Sequence, residues 1–224
     1  MTISPETGSA KPSSFLATTA MACPPDLLVR AKSSTPKSFA FVRAIGAATL
    51  QTAWDAAKAG IVLPILVGEP DIIASDAAAI GWDLSGVEII PATGEREAID
   101  EAIALFAAGR VAGLAKGQLH TDVFMGGIVR RTAGIRTGNR LLHIFAMLPP
   151  DGGRPLLISD AAVNVAPDID TRVDAALYVA EMGRRLGQPC PRIAILSATE
   201  SVLTAMPSSG EAAEIASRAA ALDP

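Results

Sequence analysis

Short apolar runs alternate with longer segments of helical spacing from residue 39 to residue 131. Residues 39–45, 61–67, 87–90 and 111–115 read as strands, because continuous apolar runs of this length suit a sheet covered on both faces. Between and after them, residues 47–59, 71–80, 95–108 and 121–131 carry helical periodicity. Leu50, Trp54 and Ala57 fall on one helical face, and Gly60 stands where a helix C-cap belongs. Alternation of this kind predicts right-handed βαβ crossovers and an α/β fold: a mostly parallel sheet with helices on both faces.

The rhythm changes after Arg131. Residues 132–139, TAGIRTGN, form a Gly-rich loop, and residues 141–148 read as a strand. A tight turn at 149–154 leads into a further apolar run at Leu156, whose two faces are expected to be buried. Two strands joined by a short Gly-rich turn predict an antiparallel hairpin, which a βαβ unit does not contain. A helix over 168–186, a strand over 192–197 and a helix over 209–222 complete the pattern. The division expected is a mobile N-terminal tail at 1–24, a first α/β domain at 25–131 and a second at 132–224.

Composition narrows the classes. Half of the 224 residues are hydrophobic but only 4% are aromatic, a profile rich in small aliphatic side chains that suits buried strands between helical layers. The net charge of −4 gives no nucleic-acid footprint, so an anionic ligand has to be held locally. No apolar run reaches membrane-spanning length. Cys23 and Cys190 are far apart and show no metal-ligand spacing, so neither a structural zinc site nor a disulfide framework is expected and the chain reads as cytoplasmic. Residues 15–23 are too broken by threonines to read as a leader, which leaves the tail as a plain extension.

Three stretches carry chemistry. Residues 156–168, LLISDAAVNVAPD, end a strand in Ser159 and Asp160, with Asn164 following and a helix start at Pro167-Asp168. Hydroxyl, carboxylate and backbone N–H groups at a strand's carboxyl end suit a ligand site of an open α/β sheet. The same residues equally suit a turn and its caps. Residues 114–122, LAKGQLHTD, run a strand into Lys116 and Gly117. His120 follows, with Thr121 placed to cap the next helix. A glycine there lets backbone approach a ligand, and the helix N-terminus offers donors to an anion, which Asp122 opposes. Residues 193–206 end a strand in hydroxyls, Ser197 first. Neither a Walker A loop nor GxGxxG occurs, nor does a nucleophile elbow. His143 lies within a strand and reads as a core or interface histidine. Arg136 and Arg140 are either surface charges or an oxyanion clamp.

In order, KGQLHTD, RTGNRLLHIFAM, PLLISDAAVNVAPD and PRIAILSATESV resemble the phosphate acetyl/butyryltransferase family, most closely its module fused to enoyl-CoA hydratase. AAKAGIVLPILVGEPDII is similar to that family's opening unit. The resemblance implies acyl transfer between coenzyme A and orthophosphate. It also implies a two-domain architecture like that of isocitrate and isopropylmalate dehydrogenases, with the active site in the interdomain cleft. A homodimer is expected, acting on acetyl-CoA, phosphate and acetyl phosphate. The resemblance implies that no metal or redox cofactor takes part in the transfer itself. Such chemistry deprotonates a thiol and stabilises a tetrahedral oxyanion. Asp160, Ser159 and Asn164 are the catalytic candidates, with Asp160 as base. Lys116, Gly117, His120, Thr121 and Ser197 are the substrate-binding ones. Backbone N–H groups near Gly117 would help to hold the anion.

Two departures stand out. The helix arginine that follows the family's His-Thr pair is replaced here by VFMGG at 123–127, with Arg130 and Arg131 nearest. The resemblance also implies a truncated second part, without the family's Ser-Arg and aspartate positions and prone to self-association. The alternatives are a butyryl-specific enzyme, or a non-catalytic member that binds coenzyme A or a partner chain.

Overall fold

The computed structural model describes residues 23–149, 154–160 and 162–224. The expected tail therefore lies almost wholly outside the described residues, as does most of the 149–154 turn. Two compact units are present, Leu28–Asn139 and a second that contains Arg140–Pro224.

Helix α1 (Pro25–Lys32) leads into the first unit. There β1 (Lys37–Val42), α2 (Ala47–Lys58), β2 (Val62–Gly68), α3 (Pro70–Ala79), β3 (Glu88–Pro91), α4 (Gly94–Ala107), β4 (Gly113–Lys116) and α5 (Thr121–Val129) follow in turn. A 3₁₀ turn at Arg131–Ala133 closes the series. The four strands form one sheet in the order β3-β2-β1-β4, and each pairs with its neighbours in parallel. Strand alternation sorts side chains to the two faces. Ala40, Val42, Ile65 and Val67 pack with Ala98, Ile99 and Ala102 of α4 on one side. Phe41 and Leu66 pack with Leu50 and Ala53 of α2 and Ile73 and Ala77 of α3 on the other. Leu50, Leu66, Ile73 and Ile99 are fully buried, and each contributes roughly 1.5–3 kcal/mol of transfer free energy. The expected three-layer α/β arrangement is thus observed.

The order 3-2-1-4 places the site. From β1 the chain crosses to β2 on one side, whereas β4 is laid down on the other side of β1. The loops beyond the carboxyl ends of β1 and β4 therefore diverge and leave a crevice. A βα loop without a glycine could not close this junction. A Cβ on Gly117 would lie 2.5 Å from the Arg43 carbonyl oxygen and 2.6 Å from that of Val42.

In the second unit, β5 (Phe145–Met147) and β6 (Leu156–Ile158) form the expected antiparallel hairpin, with Phe145 opposite Ile158. Helices α6 (Ile169–Arg185) and α7 (Pro207–Leu222) follow. Asp168 caps α6 by accepting from the Thr171 N–H at 2.8 Å. Arg172–Glu211, Arg184–Asp223 and Arg218–Asp170 ion pairs, at 2.8, 2.6 and 2.6 Å, tie the segments around α6 and α7.

Three expectations need correction here. Residues 192–197 are not a strand. A strand persists only where its N–H and C=O groups find a ladder, and among the described residues of this unit only β5 and β6 pair. Leu196 is left 82% exposed. The Leu156 strand is not buried on both faces either: it is three residues long in a two-stranded sheet, and Leu156 is 64% exposed. Its carboxyl end is consequently not beside that of β4 in a common parallel sheet. The strand expected over 141–148 shortens to Phe145–Met147 for the same reason, since β6 offers only three partners. Among the described residues no helix is long and apolar enough to cross a membrane.

Candidate functional site

At the crevice of the first unit, Gly117 N–H donates to the Val42 carbonyl at 2.9 Å and Gln118 N–H to the Arg43 carbonyl at 3.0 Å. These bonds extend the β1–β4 ladder past both strands. They also engage the backbone donors near Gly117, so those two groups are not available to an anion, contrary to expectation. An open cleft of about 530 Å³ lies beyond them, lined in part by Arg43, Gly46, Asp76, Glu95, Gln118 and His120. Gly46 takes φ +84° and gives its N–H to Asp76 Oδ2 at 2.7 Å.

Arg43 turns the chain out of β1 with φ +50°, a left-handed conformation that few non-glycine residues adopt. Its guanidinium is shared. Nε and Nη2 donate to Glu69 Oε1 at 3.3 and 3.2 Å, and Nη1 donates to the Gln118 carbonyl at 3.2 Å and to Glu95 Oε1 at 3.5 Å. Glu69 Oε1 also accepts the Gly94 N–H at 3.0 Å, while its Oε2 is buried without a partner. Burial pushes the Glu69 carboxyl up, but the Gly94 N–H and Arg43 outweigh it and hold the group below the usual glutamate value.

Glu95, in the first turn of α4, reaches across to the β4–α5 loop. Its Oε2 accepts the His120 N–H at 3.0 Å, and its Oε1 lies 2.7 Å from His120 Nδ1. The backbone N–H of His120 is the main cause that holds the Glu95 carboxyl below its ordinary value; partial burial opposes it, and the imidazole and Arg43 add to it. An ionised carboxylate has no proton to donate, so the hydrogen in the imidazole contact belongs to Nδ1. The side chain is 81% exposed at the cleft mouth.

The other sequence candidates fall as follows. Lys116 ends β4, exposed and without a hydrogen-bond partner among the described residues. Thr121 is the first residue of α5 and His120 occupies the N-cap, so the expected Thr121 cap is displaced by one residue because Glu95 holds the His120 N–H. The helix after it contains Val123 to Gly127; Arg130 pairs with Asp100 and Arg136 is exposed.

In the second unit, Asp160 organises its own loop. Oδ1 accepts N–H groups of His143, Ala162 and Val163 at 3.2, 3.5 and 3.4 Å, and Oδ2 accepts the Asn164 N–H at 3.0 Å and its side-chain amide. Burial raises the Asp160 carboxyl, but these donors, Asn164 first, hold it below the usual aspartate value. Asn164 also donates to the Leu141 carbonyl at 2.9 Å. Ser159 Oγ is buried without a partner. The His143 ring stands edge-on to Phe145, with centroids 4.2 Å apart, and its Nδ1 is buried and unpaired. Arg140 approaches Asp168 at 3.9 Å. Ser197 Oγ contacts Ser208 Oγ at 3.1 Å, within the segment that is not a strand.

Sequence reasoning missed Arg43, Glu69 and Glu95. The signal was present: each is a charged residue just past a strand or opening a helix at the sheet's carboxyl edge. Only the strand order reveals that they share one mouth.

The sequence profile of the phosphate acetyl/butaryl transferase family matches residues 95–223. The phosphate acetyltransferase of Rhizobium meliloti is 34% identical over 189 residues, 84% of this chain and 60% of that protein. The chain belongs to the phosphate acetyl/butaryl transferase family. The family segment opens at Glu95 itself and takes in both the 114–122 and 156–168 stretches. The phosphate butyryltransferase of Clostridium acetobutylicum is 29% identical over 84% of the chain and 62% of that protein. A branched-chain phosphotransacylase from Enterococcus faecalis V583 shares the fold, with a TM-score of 0.64 at 23% identity over 81% of this chain and 63% of that one. The chain thus spans about three-fifths of the length of these relatives.

Proposed function

We propose that the chain serves acyl transfer between coenzyme A and orthophosphate, of the phosphate acetyltransferase type. The observation that carries this reading is the family match through residues 95–223, which holds both loops with the required chemistry. The thiol sulfur attacks the acyl carbon of an acyl phosphate, a tetrahedral oxyanion forms, and the carbon–oxygen bond to phosphate breaks. The first-turn N–H groups of α5 lie outside its helical ladder and suit a phosphoryl group, with the Thr121 hydroxyl and Lys116 ammonium as further donors. Ser159, Asp160, Asn164 and Ser197 are the candidates of the second unit. The transfer itself calls on no resident metal or redox cofactor.

A butyryl substrate is the second reading, favoured by the butyryltransferase relatives. We further place the protein in the cytoplasm as a homodimer. Exposed Leu156, Leu196 and Val202 support association, and two exposed free cysteines support a reducing compartment. The test is thioester formation from coenzyme A with acetyl phosphate and with butyryl phosphate, followed by absorbance. Thioester from either supports the reading, and the ratio of kcat/KM values assigns the acyl group. Absence of thioester from both overturns it.

A further inference from the structure

Residues from all four βα junctions of the first unit meet at one guanidinium. Arg43 stands between β1 and α2. Its Nε and Nη2 donate to Oε1 of Glu69, the N-cap of α3, at 3.3 and 3.2 Å. Its Nη1 donates to the Gln118 carbonyl, between β4 and α5, at 3.2 Å, and to Oε1 of Glu95, in the first turn of α4, at 3.5 Å. We propose that Arg43 is a positioning residue: it sets the β4–α5 loop so that Lys116 and Thr121 meet the phosphoryl group of the acyl phosphate. Such a role depends on the acyl-transfer reading above.

The loop is held at its start and at its end. At its start, Arg43 and Gln118 are bonded twice, because the Gln118 N–H donates to the Arg43 carbonyl at 3.0 Å while Arg43 Nη1 returns to the Gln118 carbonyl. At its end, where α5 begins, the His120 backbone N–H donates to Glu95 Oε2 at 3.0 Å. Glu95 is in turn reached by Arg43 through its other oxygen. Glu69 completes the frame, since its Oε1 accepts both from Arg43 and from the Gly94 N–H at 3.0 Å, one residue before Glu95. The place where α5 starts, and with it the place of Thr121, therefore follows from where the Arg43 side chain sits.

The backbone of Arg43 points the same way. At φ +50° glycine is the unstrained residue, and a glycine would make this turn without the side chain. Strain at a non-glycine position persists where the surroundings hold the residue in place, and here four junctions do so. Lysine would keep the charge but lose the fork, because a single ammonium cannot serve Glu69 from one edge and Gln118 from the other. Two carboxylates already face the guanidinium, so an anionic substrate gains little from touching it. Arg43 acts through the loop that it holds.

The test compares the full chain with Arg43→Lys, Glu95→Ala and the double variant, in thioester formation from acetyl phosphate and coenzyme A. Misplaced donors weaken ground state and transition state alike. KM for acetyl phosphate is therefore expected to rise about tenfold in each single variant, with kcat within about threefold of wild type. Both substitutions release the same loop, so the double variant should match the single ones within about threefold. A merely structural role would lower the folded fraction, so that kcat falls while KM stays. That result overturns the proposal, and so does an unchanged KM with unchanged kcat. Rises that multiply in the double variant also overturn it, because they place Arg43 on the substrate itself. Backbone amide exchange is read in parallel: the His120 N–H should exchange about tenfold faster in Arg43→Lys, with the core amides of β1 and β2 unaltered. If the wild type forms no thioester, the acyl-transfer reading fails instead. The exchange then decides, since an unaltered His120 rate refutes the hold of Arg43 on the loop.

Discussion

His120 Nδ1 lies 2.7 Å from Glu95 Oε1, although 25 residues separate them in the chain. The contact exists because α4 begins, and β4 ends, at the same edge of the parallel sheet. Right-handed crossovers bring every βα loop to that edge. Charged residues that are remote in sequence, Arg43, Glu69, Glu95 and His120, are thereby gathered at one mouth.

Acid should loosen this mouth, and Glu69 is the group that reports it. Its carboxyl is held below the ordinary glutamate value in the folded chain, so the unfolded chain binds the proton more tightly. The stability it contributes is complete above roughly pH 4.3 and is lost as pH falls through the lower folded value. Urea midpoints between pH 7 and pH 3 should fall at the acid end in the wild type. Glu69→Gln should start lower and fall less steeply. Parallel slopes for the two proteins would show that the Arg43–Glu69 contact is not linked to folding.

Gly117→Ala should be destabilising out of proportion to one methyl group. The added Cβ meets two backbone carbonyl oxygens, at 2.5 and 2.6 Å, and neither is a flexible side-chain end. Relief requires β4 to move from β1, at the expense of the Gly117–Val42 and Gln118–Arg43 hydrogen bonds. The expected loss is at least the roughly 1–3 kcal/mol of ordinary overpacking, read as a lower melting temperature. Thioester formation should fall with it, since the substrate-binding candidates Lys116 and Thr121 flank the same loop.

The first unit was legible because its periods agree with its packing. Residues 61–67 and 95–108 read as strand and helix and are observed as Val62–Gly68 and Gly94–Ala107, since apolar run and helical stripe each met a partner. Residues 192–197 carry an equally apolar run, yet are no strand. Periodicity reports what a segment can bury and is silent on whether a neighbour offers a ladder. The site was legible in part. His120 stood out for its residue type and place, whereas Glu95 looked like one more acidic residue in a helix's first turn. Its role depends on the order β3-β2-β1-β4, which no local pattern encodes.

Adjacent glycines of α5 should respond with opposite signs to the same substitution. A Cβ on Gly127 would lie 2.4 Å from Ile99 Cγ1 and 3.3 Å from Ile103 Cδ1, both in α4, so the small residue sets the spacing of the two helices. Gly127→Ala is expected to cost about 1–3 kcal/mol. Gly126 faces open space, with nothing within 4 Å of the added atom. There alanine gains helix propensity, about 0.8–1 kcal/mol. Melting temperatures of the two variants should bracket the wild type, and two shifts of the same sign would contradict the α4–α5 packing described here.

Asp160 separates loop organisation from proton transfer, and two substitutions together can read which it serves. Asp160→Asn keeps the shape and one acceptor oxygen, enough for part of the set of N–H donors from His143, Ala162, Val163 and Asn164. Asp160→Ala leaves all of them without this acceptor, and a loss of about 1–3 kcal/mol is expected. If Asp160 serves only to organise its loop, Asp160→Asn should retain turnover within about tenfold, while Asp160→Ala should lose roughly 10²-fold through the disturbed loop. The acid response has the same sign as for Glu69: the depressed carboxyl gives stability that is present above roughly pH 3.9 and lost below it. A loss in Asp160→Asn as deep as in Asp160→Ala, with both variants folded, would assign the role of base to this carboxylate.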